Sequence, residues 1–161
     1  MILADWQIRE YIEGHRLVQP CAPEQVNPAS VDLTLGAQYV NLDSGNTFKI
    51  TEACPLLLAP GFPVVVTTAE AVNFPATLAG ELVLKSSMGR QGIDMCKAGW
   101  IDPGFSGTLS VTLYSHVHAR LELGQRFIQI KFYRMDRVPE SIYRGRYQNQ
   151  AGPTLARPVV K

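Results

Sequence analysis

Thr108-Leu109-Ser110-Val111-Thr112-Leu113-Tyr114 is the stretch on which the fold class turns. Leu109, Val111 and Leu113 fall on one face of an extended strand, and Thr108, Ser110, Thr112 and Tyr114 on the other. One face is core; the other is polar enough to line a site or to meet a neighbouring subunit. Outward from this strand the same texture repeats, as short apolar runs broken by Pro and Gly. Val31–Gly36, Pro63–Thr68, Gly80–Leu84 and Arg126–Phe132 read as further strands, and 13 Gly and 11 Pro supply the turns between them. The pattern predicts a mainly β fold of sandwich or barrel type. One helix is expected, with Asp5 as N-cap, Trp6, Ile8, Tyr11 and Ile12 along one face, and Gly14 as its end.

The 161 residues suit a single domain spanning 1–161, with no internal repeat and no low-complexity divider. Lys and Arg number 15 against 14 Asp and Glu, a balance that argues against a broad nucleic-acid surface. Met1–Trp6 shows no signal peptide, and runs such as Pro63–Val66 are too short to span a bilayer. Cys21, Cys54 and Cys96 are an odd, widely spaced trio that makes neither a disulfide framework nor a zinc knuckle. A reducing cytoplasm is the expectation, with the cysteines as packing residues.

Two segments could carry chemistry. Ser86-Ser87-Met88-Gly89-Arg90-Gln91-Gly92 offers hydroxyls, Gly-permitted backbone approach and a guanidinium, which together can cradle phosphate oxygens. The same residues also suit a polar turn after the strand ending at Leu84, and the spacing is not that of a P-loop. Asp102 sits in Trp100-Ile101-Asp102-Pro103-Gly104-Phe105-Ser106-Gly107. There a carboxylate can orient and deprotonate a water, or can merely stabilise the turn. Phe105 suits packing on a sugar or base, or within the protein. His116 and His118 share a strand face without a third ligand, so no metal site is expected from them. The His-x-Glu and Pro-Cys-x-x-Cys signature of zinc deaminases is missing. Beyond about Arg137 the pattern loosens. Tyr143–Pro153 reads either as a frayed tail or as a closing segment with Arg for phosphate, Tyr for stacking and amides for a base edge.

Four stretches, in order, resemble the dCTP deaminase branch of the trimeric dUTPase-like family. They are Asn27–Gly36, Lys85–Gly92, Ala98–Gly107 and Arg146–Pro153. The resemblance implies a distorted, jelly-roll-like β-barrel with a short N-terminal helix. It also implies a homotrimer with sites at subunit interfaces, dUTP and/or dCTP as substrate, and Mg²⁺ held mainly by the triphosphate, with no metal ligand from the protein. By resemblance, Ser86, Ser87 and Arg90 hold phosphates, aided by Lys85 and Gln91. Asp102 orients the catalytic water, so that Asp102, Arg90 and Ser86 are the catalytic group. Cys96, Lys97, Ala98, Gly99 and Trp100 face the pyrimidine, with Phe105 and Thr112 near it. Arg146, Tyr147 and Gln150 close over the site from a C-terminal segment at 137–161.

Departures from the pattern shape the functional expectation. Deaminases of this branch carry a Glu where this chain has Thr112, and Thr cannot act as a base near neutral pH. Removing a positioned general base costs on the order of 10²–10⁴ in rate. No other acid occurs between Asp102 and Tyr114, and His116 lies roughly 13 Å further along an extended strand. Lys97 stands where Thr is common, and Lys85 replaces an Arg, keeping the charge but losing the planar fork. The expected activity is therefore a pyrimidine deoxynucleoside triphosphate pyrophosphatase, forming monophosphate and diphosphate. The alternatives are dCTP deamination and a weakly catalytic, regulatory dNTP-binding protein.

Overall fold

The computed structural model describes residues 1–157; the last four residues of the expected closing segment, 158–161, lie outside the described part. Helix α1 (Asp5–His15) opens the chain. Its cap is Ala4, not Asp5: the Ala4 amide donates to Gln7 Oε1 at 3.0 Å. Asp5 is the first helical residue, where its charge meets the positive end of the helix. Gly14 stays within the helix, and Arg16 ends it in left-handed backbone with φ 55°, where Arg16 N donates to Ile12 O at 3.0 Å and Leu17 N to Tyr11 O at 3.3 Å. Ile8 is fully buried, whereas Trp6 stands exposed.

The strands are β1 (Val18–Gln19), β2 (Val26–Asn27), β3 (Ser30–Asn41), β4 (Thr47–Lys49), β5 (Leu56–Leu58), β6 (Val64–Asn73) and β7 (Leu78–Leu84). After a single helical turn, α2 (Ser86–Gly89), come β8 (Ile93–Met95), β9 (Trp100–Ile101), β10 (Ser106–Ser115), β11 (Ala119–Leu121) and β12 (Arg126–Arg134). The main sheet runs β8-β10-β6-β3-β12-β7-β9, with β1 added to β6, and β2 and β4 to β3; β5 and β11 pair separately. All of these pairings are antiparallel. The mainly β, barrel-like expectation holds.

The sheet closes on one apolar cluster that takes Leu33 and Leu35 from β3, Val66 from β6, Val111 and Leu113 from β10, and Ile128, Ile130 and Phe132 from β12. Each such side chain contributes about 1.5–3 kcal/mol by leaving water. Alternation fails where the register slips. Between Arg126 and Ile128 the β3–β12 ladder shifts, and the adjacent residues Phe127 and Ile128 are both fully buried. Buried Glu70 on β6 is satisfied by Gln25 Nε2 at 2.8 Å, Thr34 N at 2.9 Å and Thr34 Oγ1 at 2.7 Å. Those bonds tie the Pro23–Gln25 turn and β3 to β6. None of the described helices is long and apolar enough to cross a membrane, and all three cysteines are free.

The segment from residue 143 to 154 forms no strand, yet it is docked along β10. Thr108 N donates to Gln150 O at 3.0 Å, Asn149 N to Ser106 O at 2.8 Å, and Thr154 N to Ser110 Oγ at 2.9 Å. Gly107 makes this docking possible. Its φ is 134°, and a Cβ there would lie 2.7 Å from Gln150 O and 2.9 Å from Gln150 N. Gly107→Ala is expected to lift the segment and to cost about 1–3 kcal/mol of stability. The measurement is denaturant unfolding combined with amide hydrogen exchange at 148–154; unchanged protection there would refute this role for Gly107.

Candidate functional site

The polar face of β10 lines a cleft of about 460 Å³, as the sequence alternation allowed. Ser110 and Thr112 line it, both half-buried, together with buried Leu109, while Val111 and Leu113 turn toward the core. Ala98, Gly99 and Trp100 also line it, beside β7, where Leu82 N donates to Gly99 O at 2.8 Å. Tyr143, Tyr147, Gln150 and Thr154 cover one end.

Asp102 enters this cleft from the turn Asp102-Pro103-Gly104-Phe105, closed by a bond from Phe105 N to Asp102 O at 3.2 Å. Pro103 presets its own φ and Gly104 takes φ 87°, so the sequence Asp-Pro-Gly is the local code for the turn. The Asp102 side chain is exposed and accepts from Trp100 Nε1 at 3.1 Å. Phe105, in contrast, is buried at the cleft floor, edge-on to Tyr143 with ring centroids 5.6 Å apart.

Trp100 is more than half exposed and rests against Tyr133 at 5.9 Å. The Tyr133 hydroxyl donates to Glu81 Oε2 at 2.6 Å, and Lys131 Nζ pairs with the same oxygen at 2.8 Å. Hydrogen bonds from Lys131 and then Tyr133 hold the Glu81 carboxyl below the usual carboxylate range. Glu81 therefore stabilises the fold above its unfolded value near 4.5, and that contribution is lost as pH falls through the lower folded value. The expected result, read by indole fluorescence in a Trp6→Phe background, is a change in the Trp100 environment as the pH falls below the ordinary carboxylate value of 4.5. Glu81→Gln should remove that transition; its persistence would show that another group drives it.

The remaining sequence candidates fall in two other places. Ser86, Ser87 and Arg90 lie exposed on and just after α2, followed by exposed Gln91, and none of them lines the cleft. Lys85, half-buried, turns its ammonium to Asp32. Cys96 and Lys97 are exposed beside the cleft without lining it; Cys96 N donates to Thr112 O at 3.0 Å. Gln150 lines the cleft but its side-chain amide donates to Thr108 O at 2.8 Å. Arg146 stacks on Tyr147 at 5.7 Å and bonds the Arg157 carbonyl.

Sequence reasoning passed over Arg157, whose guanidinium lies 5.9 Å from the centroid of the Tyr147 ring, and over Thr154 as a cleft residue, and it gave Tyr143 no place in the site beyond the possible closing segment. Ser110 was readable as a neighbour of Thr112, two residues away on one face. The others sit in a segment with no periodicity, so nothing local marked them. Among the described residues there is no cluster of three or more His, Cys, Asp or Glu able to hold a metal, and Asp102 is the one acid lining the cleft.

Comparison with known proteins bears on what such a cleft does. A family model described as dCTP deaminase-like matches residues 2–135. The chain is 32% identical over 160 residues to a dCTP deaminase of Thermococcus kodakarensis, covering 98% of both chains. It is 33% identical to a "dCTP deaminase, dUMP-forming" of Persephonella marina, covering 98% of this chain and 97% of that one. Among solved structures, 2'-deoxycytidine 5'-triphosphate deaminase from Agrobacterium tumefaciens superposes with a TM-score of 0.71 at 25% identity. That match covers 81% of this chain, which spans about half (47%) of the Agrobacterium chain.

These findings overturn the pyrophosphatase expectation, since whole-length relatives carry the name dCTP deaminase. Thr112 says which group cannot accept a proton, but not which bond of the nucleotide the site attacks. A phosphate cradle and a water-orienting Asp serve a deaminase as well as a pyrophosphatase.

Proposed function

This chain belongs to the dCTP deaminase-like family, and from that premise we propose that it binds dCTP and hydrolyses the C4 amino group, giving dUTP and ammonia. The observation that supports the reading is the cleft on β10, whose lining includes Asp102, the hydroxyl-bearing Ser110 and Thr112, and the Ala98–Trp100 backbone. The pyrimidine lies against that backbone. The tyrosine-rich segment covers it and keeps bulk water out.

In the reaction a water oxygen adds to C4, the C4–N bond breaks, and a proton passes from the water to the departing amine. Thr112 can hydrogen-bond that water as donor or acceptor but cannot hold its proton. Asp102 is the cleft's own group able to do so. The phosphates are assigned to Ser86, Ser87 and Arg90. Because those residues lie off the cleft of their own chain, a complete site draws α2 from a second copy, and we assign a homotrimer. Light scattering of the purified protein tests that assembly. Magnesium would be carried mainly by the nucleotide's triphosphate and would neutralise phosphate charge.

A second reading rests on a specific observation, the hydroxyl at 112: tight dCTP binding with little turnover, as in a regulatory dNTP-binding protein. The assay is incubation with dCTP and Mg²⁺, resolving dCTP, dUTP, dUMP, dCMP and ammonia. Ammonia released with loss of dCTP supports deamination. Binding without ammonia selects the regulatory reading, and dCMP without ammonia would sink both.

A further inference from the structure

Lys85 sits at the entrance to α2, immediately before the three residues assigned to phosphate, yet its ammonium is turned away from them. Nζ is ion-paired with Oδ2 of Asp32 on β3, a carboxylate only 4% exposed. The other Asp32 oxygen accepts from Asn27 Nδ2 at 2.9 Å and Gln129 Nε2 at 3.2 Å, while Arg126 Nη1 stands 4.0 Å from Oδ2. The Lys85 backbone completes the anchorage: its N–H donates to Phe127 O at 3.1 Å, and its carbonyl accepts from Met88 N at 2.9 Å and Gly89 N at 3.3 Å. Met88 is buried beneath the turn, whereas Ser86, Ser87 and Arg90 face outward.

We propose that Lys85 is a positioning residue: it pins the α2 turn to β3 through Asp32 and makes no contact with the nucleotide. This inference rests on the reading of Ser86, Ser87 and Arg90 as phosphate-holding groups. A swing of Lys85 toward a phosphate would strip a buried carboxylate of its closest cation, leaving only two neutral amides and a distant guanidinium. Breaking one partner from a buried pair is strongly unfavourable, so the ion pair outlasts the lure of an exposed phosphate. The charge of Lys85 acts from below the turn. It holds the outward hydroxyls and Arg90 in register without entering the site.

The test is a double-mutant cycle on the full chain: wild type, Lys85→Met, Asp32→Asn, the double variant and Lys85→Arg. Thermal melting without nucleotide and calorimetric titration with dCTP and with inorganic tripolyphosphate are the readouts. Lys85→Met and Asp32→Asn are each expected to lower the melting temperature and weaken dCTP about tenfold, and the double variant to be no worse than the poorer single within about twofold. Lys85→Arg, which restores the pair, should stay within about twofold of wild type, and it carries the test with Asp32→Asn should Lys85→Met fail to fold. If Asp32→Asn bound dCTP as tightly as wild type or tighter while Lys85→Met or Lys85→Arg lost affinity, Lys85 would be a phosphate ligand and the proposal wrong. Should wild type bind neither probe, the proposed function falls; the melting cycle then decides the anchor, with additive losses overturning it.

Discussion

Thr112→Glu is expected to raise the rate of ammonia release from dCTP about 10²–10⁴-fold, the range a positioned general base supplies. The substituted side chain would leave β10 on its polar face, into a cleft of about 460 Å³, so a carboxylate can be accommodated without displacing core residues. The β10 backbone around residue 112 is held by Cys96 N on the residue 112 carbonyl at 3.0 Å, a bond that does not depend on the side chain. The check is steady-state ammonia release at saturating dCTP, with dCTP affinity measured in parallel. Unchanged turnover with dCTP still bound would mean that proton transfer at this wall is not what limits the reaction.

Asp102→Asn is expected to lower wild-type deamination by about 10²–10⁴-fold in kcat while leaving KM nearly unchanged. Asn keeps the size and the oxygen that accepts from Trp100 Nε1, and Asp102 is exposed with no ion pair among the described residues. The substitution therefore removes proton capacity and charge but little packing, and melting should shift by no more than about 1 kcal/mol equivalent. In the Thr112→Glu background the same change should cost less, because the glutamate would then carry the proton. A variant as active as wild type would remove Asp102 from the chemistry. Equal losses in both backgrounds would assign it to substrate placement instead.

The parts of this protein that were readable in advance are those set by neighbours in the chain. Period-two alternation in β10 put Ser110 and Thr112 on the cleft face, and Pro-Gly after Asp102 encoded the turn that presents it. The helix boundaries were less legible, because Ala4 is capped by the Gln7 side chain and Arg16 adopts a conformation that composition does not favour. The mixed residues after Arg137 carried no period at all. Their docking depends on hydrogen bonds to the backbone of Ser106 and Thr108 and to the Ser110 hydroxyl, more than forty residues away.

The sequence by itself determined the strand-rich fold class, the Asp102 turn, and the family through its four motif stretches. Local chain chemistry and side-chain periodicity are sufficient for the fold class and the turn, and the resemblance of the four stretches for the family. Only the tertiary structure decided that Lys85 faces Asp32, 53 residues distant, and that Trp100 holds the Asp102 carboxylate. It alone placed the α2 turn and the cleft in separate parts of one chain. Those outcomes follow from which strands pair and where a charge can be buried with its partner, and such pairings are settled by packing across the whole sheet.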